Sequence, residues 1–305
     1  MTPLLSICVP TYNRAEILNK SLESLVHQDI FQNTDDVEII ISDNASSDKT
    51  KEVVSQYVSQ FGDKIKYFRN DKNINDENFW YTLAQGNGDF LKLCNDKLIF
   101  KPNSLERMLN YIKTYEKNKP VLFFRNDLDK DDIECSTLDE FMTNVSYLST
   151  WIGGLGIWKE DMPSATEWLP KSSSQLAQTD ILLSMVAKKK SSIVINAYLF
   201  DIPVITEECN YNLTEIFSKN YLNILNQYVS LNVLSPKIYE EQKWKILKEF
   251  ILPRQFNVKG KYFYDKSHFW KNTKHYNKDI KFYFMVLNFI KKKIKYSIKD
   301  FFNKK

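Results

Sequence analysis

Four short polar clusters carry side chains able to grip a ligand rich in hydroxyls and charge, and each follows an apolar run. They are Pro10-Thr11-Tyr12-Asn13-Arg14, Ser42-Asp43-Asn44-Ala45-Ser46-Ser47-Asp48, Arg69-Asn70-Asp71-Lys72-Asn73 and Asn95-Asp96-Lys97. Carboxylates accept from N–H and O–H groups, amides donate and accept, and Lys and Arg meet anions. The last cluster poses a question, because a strand ends on a lone acid between an amide and an ammonium. A fifth stretch, TWIGGLGIWKED, places three of the seven glycines, Gly153, Gly154 and Gly156, between Trp151 and Trp158. Glycine permits close backbone approach and positive φ, and tryptophan faces stack on sugar rings. The same residues also read as a bulged strand with two core tryptophans.

The elements that would position these clusters alternate along the chain. Apolar runs of strand length lie at residues 4–9, 37–41, 65–68, 90–94 and 121–124. Between them, Ile17, Leu22, Leu25 and Val26, and then Val53, Val54, Tyr57 and Val58, recur at helical spacing,. Asn13, three residues before Glu16, reads as the cap of the first helix, and Asp48 as that of the next,. Strand, helix, strand, helix predicts a parallel α/β sheet, in which ligands bind outside the carboxyl ends of the strands, where the four clusters fall. No GxGxxG follows the first strand and no GxxxxGK[ST] occurs; Gly86-Asn87-Gly88 precedes a strand and reads as a turn,. Beyond about residue 203 strand signals fade, and residues 221–233 and 239–250 read as helices.

With 305 residues, 43% hydrophobic and 14% aromatic, the chain can bury a large core,. It has no apolar stretch of about 18 residues to cross a membrane, and its first residues lack the pattern of a secretory leader. Cys8, Cys94, Cys135 and Cys209 form no CxxC pair, so neither a disulfide framework nor a zinc knuckle is indicated, and a cytoplasmic location is expected,. His27, His268 and His275 show no HExxH spacing. The net charge of +4 is uneven: residues 259–305 hold 14 lysines and 3 aspartates, a net +11, which leaves the remainder acidic. Within that tail, Ile290, Ile294, Ile298 and Phe301 align at helical spacing among Lys291, Lys292, Lys295 and Lys299. This is the composition of an interfacial helix drawn to anionic lipid, and peripheral attachment to the inner face of the cell membrane is expected. Lysines interleaved with aromatics also suit single-stranded nucleic acid, but no nucleic-acid module is recognisable, so none is expected as a partner. Packing against the body or a partner chain is a third reading.

SICVPTYNR, IIISDNASSDKT and a turn before a strand ending in an acidic triplet, in that order, resemble the family 2 glycosyltransferases of the GT-A fold. The resemblance implies an α/β GT-A domain with a mostly parallel central sheet over residues 1–205. A helical extension over 206–258 and the basic aromatic tail over 259–305 would follow. It implies that Tyr12 and Asp43 hold a nucleoside, with Pro10, Thr11 and Arg14 beside them. Arg69 and Asn73 are further donors to the nucleotide, or members of an exposed ion pair.

In similar enzymes an Asp-x-Asp motif ends the fourth strand and holds Mg²⁺ or Mn²⁺ against the donor diphosphate. Here the triplet is Asn95-Asp96-Lys97, so Asp96 is the one candidate metal ligand and Lys97 weakens the site. An ammonium this close opposes a cation by about 4 kcal/mol at an effective dielectric near 20. Lys97 could instead contact the diphosphate itself, making transfer metal-independent, or point to solvent while Asp96 and water bind Mg²⁺. The stretch from Trp151 through Gly153 and Gly154 to Trp158 takes the place of the acceptor and donor-sugar wall. Asp180, in Thr179-Asp180 where Glu-Asp is common, takes the place of the general base of an inverting transfer; it also reads as a helix N-terminal acid, with Glu160 and Asp161 as substitutes. The expected partners are a UDP- or dTDP-sugar donor and a glycan or lipid-linked glycan acceptor in surface polysaccharide synthesis. A non-catalytic binder of the same fold and a sugar nucleotidyltransferase are the rivals.

Overall fold

A computed structural model describes residues 2–127, 130–203, 208–256 and 263–303, without the side chains of 208–210, 263 and 296–303. The chain forms two compact units, Met1–Ser173 with Ala177–Pro203, and Ser174–Leu176 with Val204–Lys305.

The first unit runs β1 (Leu5–Thr11), α1 (Ala15–Val26), β2 (Val37–Asp43), α2 (Thr50–Phe61), β3 (Ile65–Arg69), α3 (Glu77–Ala84), β4 (Phe90–Leu93) and α4 (Ser104–Tyr115). It continues with β5 (Val121–Phe124), β6 (Ile133–Cys135), β7 (Gly156–Trp158), α5 (Ala177–Lys189) and β8 (Ser192–Ile195). Every residue of β1, β2 and β4 is buried, the pattern of strands covered on both faces by crossover helices,. The main sheet has the order β3-β2-β1-β4-β7, with β1 to β4 parallel and β7 antiparallel to β4. Leu18, Leu22 and Leu25 of α1 pack with Leu5, Ile7, Ile39 and Ile41 in the core.

Two expectations are corrected. The fifth strand does not join the main sheet: β7 occupies the free edge of β4, and β5 pairs with β8, which also carries β6. The first helix is not capped by Asn13, which adopts a left-handed φ of 53° and accepts a 2.7 Å hydrogen bond from the Ser47 N–H. Asp48 supplies the cap from the loop after the neighbouring strand β2. Its Oδ2 accepts from Ala15 N–H at 2.9 Å, and its Oδ1 accepts from Thr50 N–H at 3.0 Å. One side chain thus ties the starts of α1 and α2 together.

In the second unit, β9 (Glu208–Asn212) pairs in parallel with β10 (Phe263–Asp265), two strands the fading periodicity does not predict. Helices α6 (Tyr221–Ser230), α7 (Pro236–Ile246) and α8 (Ile280–Asn303) make up most of the rest. The α7 helix starts with Ser235 accepting from Ile238 N–H and Pro236 in the first turn, a regular helix opening,.

Replacing Asp48 with alanine should lower stability by about 1–2 kcal/mol, the scale of a lost cap, as measured by urea unfolding. Burial raises the Asp48 carboxyl, but hydrogen bonds from Thr50 and Ala15 outweigh it and hold the group below its ordinary range. The stabilisation is therefore full above the usual carboxylate range and is lost as pH falls through the depressed value. The alanine variant should show a flatter acid limb.

Candidate active site

Sheet register sets the frame. Thr11 lies opposite Asp43, and Asp43 opposite Arg69, so three of the predicted residues form a row at the carboxyl edge. The Asp43 carboxylate is fully buried. Its Oδ1 accepts from Ser46 N–H at 2.7 Å and its Oδ2 from the Tyr67 hydroxyl at 2.6 Å, with Arg69 Nη1 at 3.8 Å. Burial, reinforced by the bond to Asp43, pushes the Tyr67 hydroxyl up. Arg69 also donates to Ser46 O at 2.9 Å. Asp43 therefore organises the second loop from within, and Tyr12 is exposed at the rim. Pro10, by contrast, is buried inside β1 beside Ser42 and presents no surface to a ligand.

Asn44 stitches the second loop to the third. Its Nδ2 donates to Asn73 Oδ1 at 2.8 Å, and its Oδ1 accepts from Ile74 N–H and Asn70 Nδ2. The first loop is joined to the fourth by Asp96, which is 2% exposed. Thr11 Oγ donates to Asp96 Oδ2 at 2.9 Å, and Arg14 Nη1 to Asp96 Oδ1 at 2.9 Å. The cation that meets this acid thus comes from β1's loop, while Lys97 is half-buried next to it in sequence. A divalent cation fits this arrangement poorly. Both oxygens of the one carboxylate already accept from protein donors, a guanidinium touches it, and no group of three His, Cys, Asp or Glu side chains forms a metal site among the described residues,.

Asn95 completes the fourth loop by accepting from the Trp151 indole N–H at 2.8 Å. The Trp151 ring lies over Gly153, where a Cβ would collide with it, and a Cβ on Gly154 would collide with Phe123. Neither glycine has positive φ. Their smallness admits the chain's own aromatics, so the expected opening for a sugar is corrected at Gly153 and Gly154. Trp158 is corrected too. It is buried, donates to Pro120 O at 2.7 Å and packs edge-on against Phe90 at the amino end of β4.

That antiparallel register also disposes of the substitute bases. Glu160 and Asp161 follow Trp158 at the amino end of the sheet, where they pair with Lys119 and Lys189. Asp180 lies in the first turn of α5, whose Thr179 and Gln178 donate to Ser149 O and Thr150 O, just before Trp151. Its carboxylate is 2.7 Å from Lys171 Nζ.

Lys92 went unrecognised in the sequence. Its side chain is fully buried, and Nζ donates to Leu93 O at 2.9 Å, Gly153 O at 2.5 Å and Leu155 O at 3.3 Å. The rings of Phe124 and Phe200 face it at 5.1 and 5.8 Å. Burial lowers its pKa, and carbonyl dipoles and ring faces offset the desolvation of the charge,. Lys92 thereby holds Gly153 in the place from which Trp151 reaches Asn95. A lone lysine inside the apolar run FLKLC was the available signal. Asp76, next to Asn75 at the start of α3, also escaped notice; its carboxyl is pushed up to about 6 by burial.

With this geometry in place, likeness to known proteins is informative. Residues 6–142 match the model of the family described as Glycosyl transferase family 2. The abequosyltransferase RfbV of Salmonella typhimurium is 36% identical over 110 residues, 36% of this chain and 32% of that protein. The GalNAc(5)-diNAcBac-PP-undecaprenol beta-1,3-glucosyltransferase of Campylobacter jejuni is 41% identical over 99 residues, 31% of this chain and 29% of that one. These matches span about a third of the curated relatives' length. In fold, TarS of S. aureus, solved in complex with UDP-GlcNAc, has a TM-score of 0.57 at 15% identity over 84% of this chain and 75% of its own. The mannosyltransferase PcManGT of Pyrobaculum calidifontis, solved with GDP-Man and Mn²⁺, has a TM-score of 0.55 at 10% identity over 100% of this chain and 89% of its own. The fold is GT-A.

Two substitutions probe the parts missed in the sequence. Lys92→Met strands the Gly153 carbonyl and should cost about 1–3 kcal/mol, with faster amide exchange across residues 150–157. Because the folded state holds Asp76's proton more tightly, stability should fall as pH rises from the ordinary carboxylate value to about 6,. Asp76→Asn should match the parent near pH 4 and exceed it at pH 7 in urea unfolding.

Proposed function

We propose that this chain, which carries a family 2 glycosyltransferase domain over residues 6–142, transfers a sugar from a nucleoside diphosphate, uridine or thymidine based, to a hydroxyl of a surface glycan or lipid-linked glycan. The observation that carries this reading is the Thr11–Asp96–Arg14 node, which gathers the ends of β1 and β4 at the ligand edge of a GT-A sheet. The UDP-GlcNAc complex of TarS supports a nucleotide-sugar donor, and the undecaprenol-linked substrate in the Campylobacter enzyme's name supports a lipid-linked acceptor.

In this reading the exposed ring of Tyr12 takes the nucleobase, and Asp43 acts by holding Tyr67, Arg69 and the second loop in place. Arg14 and Lys97 face the diphosphate and stabilise the charge that grows on it as it leaves, a task cationic clamps perform elsewhere. Trp151, locked to Asn95, lines the sugar site. The acceptor oxygen attacks the anomeric carbon, the bond from that carbon to the diphosphate oxygen breaks with inversion, and Asp180 takes the hydroxyl proton. Lys171 steadies the Asp180 carboxylate. The acceptor's lipid would hold the reaction at the inner face of the cell membrane, with the carboxy-terminal region as the contact.

Measuring nucleoside diphosphate release from a set of UDP- and dTDP-sugars, with a lipid-linked acceptor supplied, tests this. Asp180→Asn should reduce kcat by roughly 10²–10⁴-fold and leave donor KM nearly unchanged. Release no greater than background from every donor would instead mark a binding protein that kept the fold, and unchanged kcat in Asp180→Asn would remove Asp180 as base.

A further inference from the structure

The α8 helix has two apolar faces, and only one of them is used within its own unit. Phe282 and Val286 are buried, and Phe282 stacks with Phe269 at 6.1 Å and with Tyr276 at 5.6 Å between ring centroids. This anchors the helix and fixes which way it faces. The opposite side carries Ile280, Tyr283, Phe284, Leu287 and Ile294, all exposed, with Phe284 at 60% and Leu287 at 52%. At 100° per residue these five fall within an arc of about 100°. Trp270, 56% exposed, stacks on Tyr283 with centroids 6.4 Å apart and planes at 20°, which widens the stripe at one end with two amphipathic rings.

The charge around this stripe identifies its partner. From Ile280 to Lys295 the helix holds Lys281, Lys291, Lys292, Lys293 and Lys295, and no acid. These five lysines are exposed. Lys291 and Lys295 project within or beside the stripe, where a protein partner would have to bury them. On a bilayer their ammonium groups sit at the level of anionic headgroups while the rings and aliphatic chains enter the boundary beneath. Tryptophan and tyrosine favour that same level. No helix among the described residues is long and apolar enough to cross a membrane.

We infer that the face formed by Trp270, Ile280, Tyr283, Phe284, Leu287 and Ile294 inserts into the surface of an anionic bilayer, with the lysines of α8 reading its headgroups. This rests on the proposed lipid-linked acceptor for its purpose but on exposure and charge for its chemistry. It also shifts the membrane contact from the stripe expected in the sequence. Ile290 is half-buried, and the side chains of Ile298, Lys299 and Phe301 lie outside the described residues.

Flotation of the full chain with vesicles of phosphatidylcholine alone, or containing about a third phosphatidylglycerol, tests the inference without any sugar donor. The parent protein should float only with the anionic vesicles, in a salt-sensitive way. The exposed double substitution Phe284→Ser with Leu287→Ser should weaken binding at least about 10-fold and leave the circular dichroism spectrum and thermal midpoint unchanged. The triple substitution Lys291→Glu, Lys292→Glu, Lys295→Glu should abolish binding. Equal flotation of the serine variant, no flotation of the parent, or conversion of a dimer to a monomer by the serine substitutions would each overturn it, the last by making the stripe a protein interface. Since binding is read without turnover, loss of transferase activity alone would leave this surface standing and count only against the proposed reaction.

Discussion

The buried carboxylate of Asp96 is the point on which the ligand edge depends. It follows β4 and has to be satisfied away from bulk water, and both of its oxygens find donors at the end of β1 and just beyond it, the Thr11 hydroxyl and the Arg14 guanidinium. A buried charge without such partners is costly enough that removing one of them is strongly destabilising. The neighbouring contacts inherit their positions from this one. With Asp96 fixed, Asn95 presents its carbonyl oxygen to Trp151, Trp151 covers Gly153, and Lys92 holds Gly153 from below. On the other side Asn13 bonds Ser47, and Asn44 carries the connection on to Asn70 and Asn73. A continuous run of hydrogen bonds therefore joins the loops after β1, β2, β3 and β4 to the loop before β7.

This arrangement gives a specific meaning to the change from an acidic triplet to Asn95-Asp96-Lys97. A metal-centred site concentrates carboxylates and relies on the ion to neutralise them. Here a single carboxylate is neutralised by arginine, and a lysine follows it in the chain. The acid placed between an amide and an ammonium thus orients the arginine.

Much of the frame was legible because it follows from strong local signals. Fully buried parallel strands produce unbroken apolar runs, so four strands of the main sheet and the loops beyond them could be placed. What stayed hidden depends on register and on pairs distant in sequence. Trp151 and Trp158 look equivalent in TWIGGLGIWKED, yet the antiparallel pairing of β7 with β4 sends Trp158 to the amino end and leaves Trp151 at the ligand edge. Arg14 and Asp96 are 82 residues apart, and only the adjacency of β1 and β4 brings them together. Asp43 reads in the sequence as a ligand to a nucleoside, and the surroundings that hold it, the row Thr11–Asp43–Arg69 and the diagonal Tyr67, come from register alone. In α8 the two apolar faces overlap in the sequence, and only the burial of Phe282 separates the anchored face from the free one.

The central claim is that an arginine oriented by Asp96 grips the donor diphosphate without help from a divalent ion. Calorimetric titration of UDP and dTDP into the protein in excess EDTA tests it most directly, with Arg14→Met and Asp96→Asn titrated in parallel. The account predicts binding of at least one nucleotide in EDTA, weakened at least about 10-fold in each variant, the scale of a lost charge-assisted hydrogen bond. Binding that appears only with Mn²⁺ and is indifferent to Arg14→Met would contradict it.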